Sequence, residues 1–314
     1  MSGRRFAWWV LPLLMLGVLL LLLLLILYPA RTQRRPELLE MSVIAREADG
    51  SAWATARQGM EQAAADLNVE LRFLYPGQSD SAQEQGQLLR REVESGASAI
   101  LLFPADREAL SEEVRAASSK AALVTLETDM EDTAGYVGVD NAALGEALGR
   151  AALNGVPQGG TVLLVLAASQ RSGVGDRLAA AEAVLRSEGR EIRCFAGTAD
   201  ALTEALSQGD TQAVIAFEAS SLERAAAAVS RLEDPPLLYG AGSTAAITAG
   251  LEQGRITSIL AQNAFSTGYL AVESAARTAR RETAEPLESL PFFTVRRENM
   301  YEPEHQKLLF PVTW

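Results

Sequence analysis

From residue 41 onward, short apolar runs alternate with longer stretches of helical periodicity. Runs such as 99–103 and 213–217 contain no polar residue in their centres, which is typical of strands buried on both faces of a sheet. The stretch 53–67 places its larger apolar residues on one helical stripe. This alternation indicates parallel sheets covered by helices on both faces, an α/β fold. The predicted strands cover 42–45, 70–75, 99–103, 122–126, 136–139, 161–166, 191–196, 213–217, 236–239, 257–261 and 292–295.

The number of strand–helix units is too large for one sheet of ordinary size. A break near Asp140–Asn141 leaves five units before it and five after it, so we predict two doubly wound lobes joined by a hinge. Ligands of such sheets bind at the carboxyl ends of the strands, and two facing lobes form a cleft there. We expect lobe 1 to comprise residues 41–140 plus 264–300, and lobe 2 residues 141–262. Together they would form one substrate-binding domain over residues 36–314, with that cleft as the expected binding site.

The N-terminus contains an apolar segment without a charge, residues 6–28, which is 23 residues long. At ~1.5 Å per residue a helix of this length spans ~34 Å, enough for a bilayer core of ~30 Å. Trp8, Trp9 and Tyr28 lie near its ends, where interfacial aromatic residues belong. We predict that residues 1–35 form one transmembrane helix, as a membrane anchor or uncleaved signal. The alternative is a cleaved signal peptide, which has a shorter apolar stretch and a small-residue cleavage site.

Charge and composition exclude several functions. The formal net charge is −12, and residues 36–314 carry 23 basic and 40 acidic groups, a net charge of −17. Such an acidic body argues against a nucleic-acid partner, since nucleic acids select clustered Lys and Arg. The only cysteine, Cys194, and the only histidine, His305, leave too few ligands for a Cys/His zinc site. Cys194 falls in a predicted strand, where we expect a buried and inert thiol.

Catalytic motifs are also absent from the sequence. Residues 172–178 (SGVGDRL) partly match a dinucleotide-binding fingerprint, but Leu178 replaces its third glycine. A glycine loop ahead of a helix explains the segment without a nucleotide. No G-x-S-x-G nucleophile elbow occurs. We therefore expect a protein that is not an enzyme and that uses no cofactor and no metal.

Four segments in order give residues 41–300 a resemblance to a known family. The chain is similar to the sugar-binding branch of the type I periplasmic binding proteins, the group around the ribose-binding protein. The segments are 42–45 (SVIA) with 50–53 (GSAW) and 59–64 (GMEQAA), then 123–129 (LVTLETD), then 137–141 (VGVDN) with 144–146 (LGE), and last 260–263 (LAQN) with 268–271 (GYLA).

The resemblance implies residue roles and a mode of action. Members bind small solutes, mostly sugars, by closing two lobes, and they deliver them to transporters or report them to membrane receptors. Trp53 would stack on a sugar ring, Glu127 would accept hydrogen bonds from hydroxyls, and Gln262 would bind from the hinge side. Core packing remains the alternative for Trp53, and a helix-capping or surface role remains the alternative for Glu127.

The sequence also departs from the family pattern. Glu218 stands where Asn or Asp is common, and the ligand-gripping arginine is not clearly matched, with Gln170, Arg171 and Arg177 as options. Several carboxylates in one cleft would repel one another unless a cation or polyol donors satisfied them. An amine, a modified sugar, a metal-assisted ligand or no tight ligand therefore remain open. The candidate ligand-binding residues are Trp53, Glu127, Asp129, Arg171, Glu218 and Gln262.

These observations predict a membrane-anchored solute-binding protein for a sugar or sugar-like molecule. Its binding domain would face the extracytoplasmic side, and it would serve an ABC permease or a sensor histidine kinase. Residues 6–28 would provide the membrane contact. The alternatives are a degenerate scaffold that has no tight ligand and, less favoured, an enzyme that uses the same cleft.

Overall fold

The computed structural model describes residues 14–23, 38–47, 51–166, 171–282 and 289–310. The chain divides into two compact units, Met1–Leu38 and Leu39–Trp314. In the first unit residues 14–23 form helix α1, whose leucine side chains are more than half exposed. Within the described ranges, no helix is both long and apolar enough to cross a membrane. The remainder of the predicted anchor, 6–13 and 24–28, lies outside them.

The second unit begins with a sheet of five parallel strands in the order β2-β1-β3-β4-β5. Strand β3 is fully buried, and β4 is buried except at its first residue, as the unbroken apolar runs predict. The elements are β1 (Leu39–Ile44), α2 (Ser51–Leu67), β2 (Val69–Leu74), α3 (Ala82–Glu94), β3 (Ala99–Leu102), α4 (Ser111–Ser118), β4 (Ala122–Leu126) and β5 (Gly135–Val137).

A second sheet of six strands follows, in the order β11-β10-β9-β8-β6-β7. All its strands are parallel except β11, which runs antiparallel to β10. The elements are α5 (Asn141–Leu153), β6 (Thr161–Val165), α6 (Ser172–Ser187), β7 (Glu191–Phe195), α7 (Ala199–Leu206), β8 (Thr211–Ala216), α8 (Ala219–Val229), β9 (Leu237–Ala241), α9 (Ala245–Glu252), β10 (Ser258–Gln262), α10 (Ala264–Ala279), β11 (Phe292–Val295) and α11 (Pro303–Leu309).

Each sheet has a hydrophobic core on both faces. In β3, Leu101 belongs to one cluster with Val43 and Val124, whereas Ile100 and Leu102 belong to the cluster on the opposite face. This follows from the strand geometry, because successive side chains point to opposite faces. Two further clusters cover the two faces of the second sheet in the same way. The predicted α/β fold with parallel sheets in two lobes is confirmed.

The chain passes between the lobes more often than the sequence suggested. After the second sheet is built as far as β10, helix α10 returns to the first lobe and packs against α2 and the strands β3, β4 and β5. β11 then lies in the second sheet, although we expected residues 264–300 to belong to lobe 1. This part of the expectation is wrong, because antiparallel pairing with β11 satisfies the backbone groups on the open edge of β10.

The lone cysteine also differs from expectation. Cys194 lies in β7, which pairs only with β6 and is therefore the edge strand of the second sheet. Its side chain is exposed and not buried, because an edge strand is covered from fewer directions than a central strand. Partial burial, followed by the charge of Glu182, still raises the pKa of this thiol. The thiol is therefore poorly activated at neutral pH.

Candidate ligand-binding cleft

A cavity of about 350 Å³ lies between the two lobes, at the carboxyl ends of the strands. Both sheets contribute to it, because the loops that follow β1, β3 and β4 face those that follow β6, β8 and β9. This is the edge at which doubly wound sheets bind ligands. The lining residues are Ala45, Arg46, Glu47, Trp53, Phe103, Glu127, Thr128, Leu144, Arg171, Gly173, Val174, Arg177, Glu218, Ala219, Ser220, Glu223, Ala241, Gly242, Leu260 and Gln262.

Five of the six residues predicted for the site line this cavity, and Asp129 does not. The five are Trp53, Glu127, Arg171, Glu218 and Gln262. Glu127 adopts a left-handed backbone conformation with φ 62° just after β4 ends, and Thr128 is the next lining residue. The side chain of Asp129 is exposed outside the cavity, and its backbone oxygen accepts a hydrogen bond from Arg107 Nε at 2.8 Å. The turn at Glu127 thus gives the lining position to Thr128.

Arg171 joins the two lobes through ion pairs. Its Nε and Nη2 each donate to one carboxylate oxygen of Asp80 at 2.9 Å, and its Nη1 pairs with Glu218. Asp80 precedes α3 in the first lobe, whereas Arg171 and Glu218 belong to the second. The three side chains are only 13%, 9% and 10% exposed. A bidentate guanidinium–carboxylate contact of this kind is directional as well as strong.

The pKa of Arg171 reflects two opposing effects. Burial is the largest effect and lowers the pKa of the guanidinium. The hydrogen bond with Asp80 and the charges of Glu218 and Asp80 together outweigh burial, so the net pKa is raised. Arg171 therefore stays cationic in the cleft at any pH at which the protein is folded.

Arg46 supplies a second positive charge to the cavity. Arg46 lies two residues after the end of β1, and its Nη2 is 2.7 Å from Glu127 Oε2. Several carboxylates in one cleft would repel one another if they were not neutralised. Here arginines of the chain itself pair with them, Arg46 with Glu127 and Arg171 with Glu218. No external cation is needed for this purpose.

Arg177 holds the base of the cleft together. It is 8% exposed, and its Nε and Nη1 donate to Asn141 Oδ1 at 2.7 Å and to the Phe217 carbonyl at 2.9 Å. Asn141 Nδ2 in turn donates to the Glu127 carbonyl at 2.8 Å. Burial lowers the pKa of Arg177, and the nearby charge of Glu127 partly restores it. This chain of hydrogen bonds links the end of β4 to α5 and β8 across the hinge.

Trp53 both packs and lines the cavity. Its ring makes edge-to-face contacts with Phe73 and Phe103, with centroid distances of 5.8 and 5.1 Å. Its indole Nε1 is buried and has no hydrogen-bond partner among the described residues, and the same is true of Gln262 Oε1. Buried polar atoms are nearly always hydrogen-bonded, so these two atoms are exceptions. Packing and a position at the cavity therefore occur together in Trp53.

The glycine segment that resembled a dinucleotide fingerprint brings the lobes into contact. Gly173 N donates to Thr128 Oγ1 at 3.3 Å, and a Cβ at Gly173 would lie 2.4 Å from the Glu127 carbonyl oxygen. Beside it, the Arg107 amide donates to Ser172 Oγ at 2.9 Å. Only a residue without a side chain permits this approach. The segment thus serves the lobe–lobe contact.

Sequence reasoning missed Asp80, Arg46, Thr128 and Asn141. Arg46 and Thr128 were detectable, since each follows a predicted strand at its carboxyl end. Asp80 gave no such signal, because its partner Arg171 is 91 residues away in the chain. Across the described ranges, no group of three or more His, Cys, Asp or Glu could hold a metal ion.

The chain matches the family model described as a periplasmic binding protein domain, over residues 42–283. It is similar in structure to a carbohydrate transporter solute-binding protein from Agrobacterium radiobacter in complex with D-arabinose, with a TM-score of 0.79, 18% identity, and coverage of 87% of this chain and 99% of the other. An ABC transporter solute-binding protein from Agrobacterium vitis with bound D-fucose gives a TM-score of 0.80 at 17% identity, covering 86% and 100%. The XylFII–LytSN complex gives 0.76 at 19%, covering 84% and 99%. No curated protein matches the chain in sequence.

The family match covers residues 42–283, which include strands β1 to β10 and both lobes of the cleft. It confirms the resemblance to type I periplasmic binding proteins and supports a binding protein and not an enzyme. The cavity also lies where the sequence predicts a ligand cleft, at the carboxyl ends of the strands of the two sheets. The chain belongs to the periplasmic binding protein domain family.

Proposed function

We propose that this protein is an extracytoplasmic receptor for a sugar or sugar-like solute, which its two lobes enclose. The observation that carries the proposal is the cavity between the lobes, to which both lobes contribute charged side chains and the first lobe adds the aromatic rings of Trp53 and Phe103. Family membership supports the same mode of action. The arrangement suits a ligand that contacts both lobes at once and so favours their closure.

The chemistry of the cavity favours a polyhydroxylated ligand. A sugar hydroxyl both donates and accepts, so it can bind a carboxylate such as Glu127 and a guanidinium such as Arg46 together. Trp53 and Phe103 add aromatic surface, which packs well against the C–H groups of a sugar ring. Two of the similar structures hold D-arabinose and D-fucose, which supports a monosaccharide unit as part of the ligand.

The partner is proposed from the N-terminus and from the comparisons. Residues 6–28 would anchor the receptor in the cell membrane, with its binding domain outside the cytoplasm. Transporter binding proteins among the similar structures favour an ABC permease, whereas the XylFII–LytSN complex favours a sensor histidine kinase. A membrane helix suits the sensor in particular, since it could contact a kinase within the bilayer. Copurification from membranes with neither class of protein would count against both.

A thermal-shift screen of pentoses, hexoses and polyols tests the receptor proposal. A ligand at 100 times its dissociation constant should stabilise the fold by about 2.7 kcal/mol. Glu127→Gln should lower the affinity for that ligand about tenfold or more, because it removes a charged hydrogen-bond acceptor. Asp129→Asn is the matched control, since Asp129 lies two residues away and outside the cavity, and it should bind as the unmodified protein does. If none of these solutes stabilises the protein, that result would argue for a scaffold without a tight ligand.

A further inference from the structure

A second cavity of about 580 Å³ adjoins the polar one. The two share five lining residues and therefore adjoin, and Gln262 and Glu127 are among the residues at this junction. The polar cavity alone already falls within the ~300–1,000 Å³ that small-molecule sites occupy. The shared residues are Phe103, Glu127, Ala219, Gly242 and Gln262.

The second cavity differs from the first in chemistry. Alanines of α2, α9 and α10 form much of its wall, and Leu308, Leu309 and Phe310 at the end of α11 close one side. Among the described residues, its charged side chains are Glu127, Glu252 and Lys307, whereas three arginines line the polar cavity. An apolar wall of this kind gains from covering an apolar group, because that removes apolar surface from water.

One buried hydroxyl in this wall lacks a partner. Thr248 lies in α9 and is 4% exposed, and its Oγ1 has no hydrogen-bond partner among the described residues. Thr267, which lines the same cavity from α10, donates to the Asn263 carbonyl at 3.0 Å in the usual way for a helical threonine. The two threonines therefore differ, because only the hydroxyl of Thr267 is used within its own helix.

We propose that the ligand is a glycoside, with its sugar ring in the polar cavity and an apolar, ring-sized aglycone in the second cavity. This inference rests on the proposed function and specifies its substrate class. The glycosidic bond would pass the junction between Glu127 and Gln262, where the two cavities meet.

The test compares methyl and 4-nitrophenyl glycosides of the same sugars, with D-fucose, D-arabinose and common hexoses as the sugar part. Dissociation constants are measured by calorimetry on the full chain in lipid nanodiscs. The 4-nitrophenyl glycoside of a pair should bind at least about ten times more tightly than the methyl glycoside, because its ring is transferred from water into the second cavity. Ala249→Phe fills this cavity from α9 and should abolish the preference.

Ala246→Phe is the matched control, because Ala246 lies on the same helix and is exposed but does not line the cavity. This variant should keep the preference. Equal binding of methyl and 4-nitrophenyl glycosides would overturn the glycoside inference and leave the sugar-receptor proposal standing. A preference that survives Ala249→Phe would also overturn it. Failure of every glycoside to bind would overturn the glycoside inference, and the receptor proposal would then depend on the separate screen with free sugars.

Discussion

At the scale of single residues, the cleft keeps its charges in pairs. Glu127 has Arg46, and Glu218 shares Arg171 with Asp80 from the other lobe. A buried charge without a partner is costly, so pairs of this kind are harmful mainly when one member is removed. A ligand must therefore either bind beside the intact ion pairs or take the place of one residue in such a pair.

We expect Arg171→Ala to weaken the contact between the lobes. Asp80 and Glu218 would lose their shared guanidinium, and the lobes would separate to hydrate these carboxylates. The free energy of unfolding should fall by about 1–3 kcal/mol, less than for a pair that cannot reach water. Urea unfolding followed by circular dichroism measures this change.

Arg171→Lys is the control for the charge alone. It keeps a cation but loses the two-pronged contact with Asp80, so an intermediate loss is expected. An Arg171→Ala protein with the stability and sugar affinity of the unmodified chain would show that this bridge does not hold the lobes together.

At the scale of elements, the first lobe depends on the close crossing of α2 and α10. A Cβ at Gly268 would lie 1.9 Å from the Ala56 carbonyl oxygen, and one at Gly59 would lie 2.0 Å from the Phe265 carbonyl oxygen. Each helix thus needs a glycine where the backbone of the other passes. The contact joins segments more than 200 residues apart in the chain and holds α10 in the first lobe.

Gly268→Ala should destabilise the protein by about 1–3 kcal/mol, because the helices must move apart to admit a methyl group. Gly175→Ala is the matched control, since Gly175 is also helical and its Cβ would meet nothing within 4 Å. That control should be neutral or stabilising by up to about 1 kcal/mol. Thermal unfolding of the two variants measures both effects, and equal melting temperatures would contradict the packing argument.

At the scale of the whole molecule, the cleft is held by a hinge on one side and by lobe–lobe contacts on the other. On the open side Arg107 pairs with Asp176 at 2.7 Å, but both side chains are 38% exposed. Such an exposed pair contributes only about 0–1 kcal/mol. We therefore expect closure to depend on the buried bridge of Arg171 and on the ligand, which would favour the closed state by its greater affinity for it.

Spin labels at the native Cys194 and at Glu112→Cys test this closure. Both positions are exposed, and they lie in different lobes. Addition of a ligand found in the sugar screen should shorten and narrow the distance distribution between the labels, measured by pulsed electron resonance. Because the raised pKa of the Cys194 thiol lowers its thiolate fraction at neutral pH, labelling is carried out above neutral pH. An unchanged distribution at saturating ligand would exclude closure as the response.

Much of the candidate site follows from strand order alone. Glu127, Glu218 and Gln262 each stand at or just after the carboxyl end of a strand, so any doubly wound arrangement brings them to one edge. Asp129 obeys the same rule in sequence but is displaced by the left-handed turn at Glu127. The role of Asp80 depends on the closeness of two lobes, which no local pattern records.

The alternation of strands and helices, the two lobes and the edge proposed for the ligand could all be predicted from the sequence. These depend on apolar periodicity, which acts within a few residues of each position. The tertiary structure decided which lobe receives β11, which arginine neutralises each carboxylate, and that Cys194 lies at an exposed edge. These depend on contacts between distant segments, whose free energies exist only once both segments are packed.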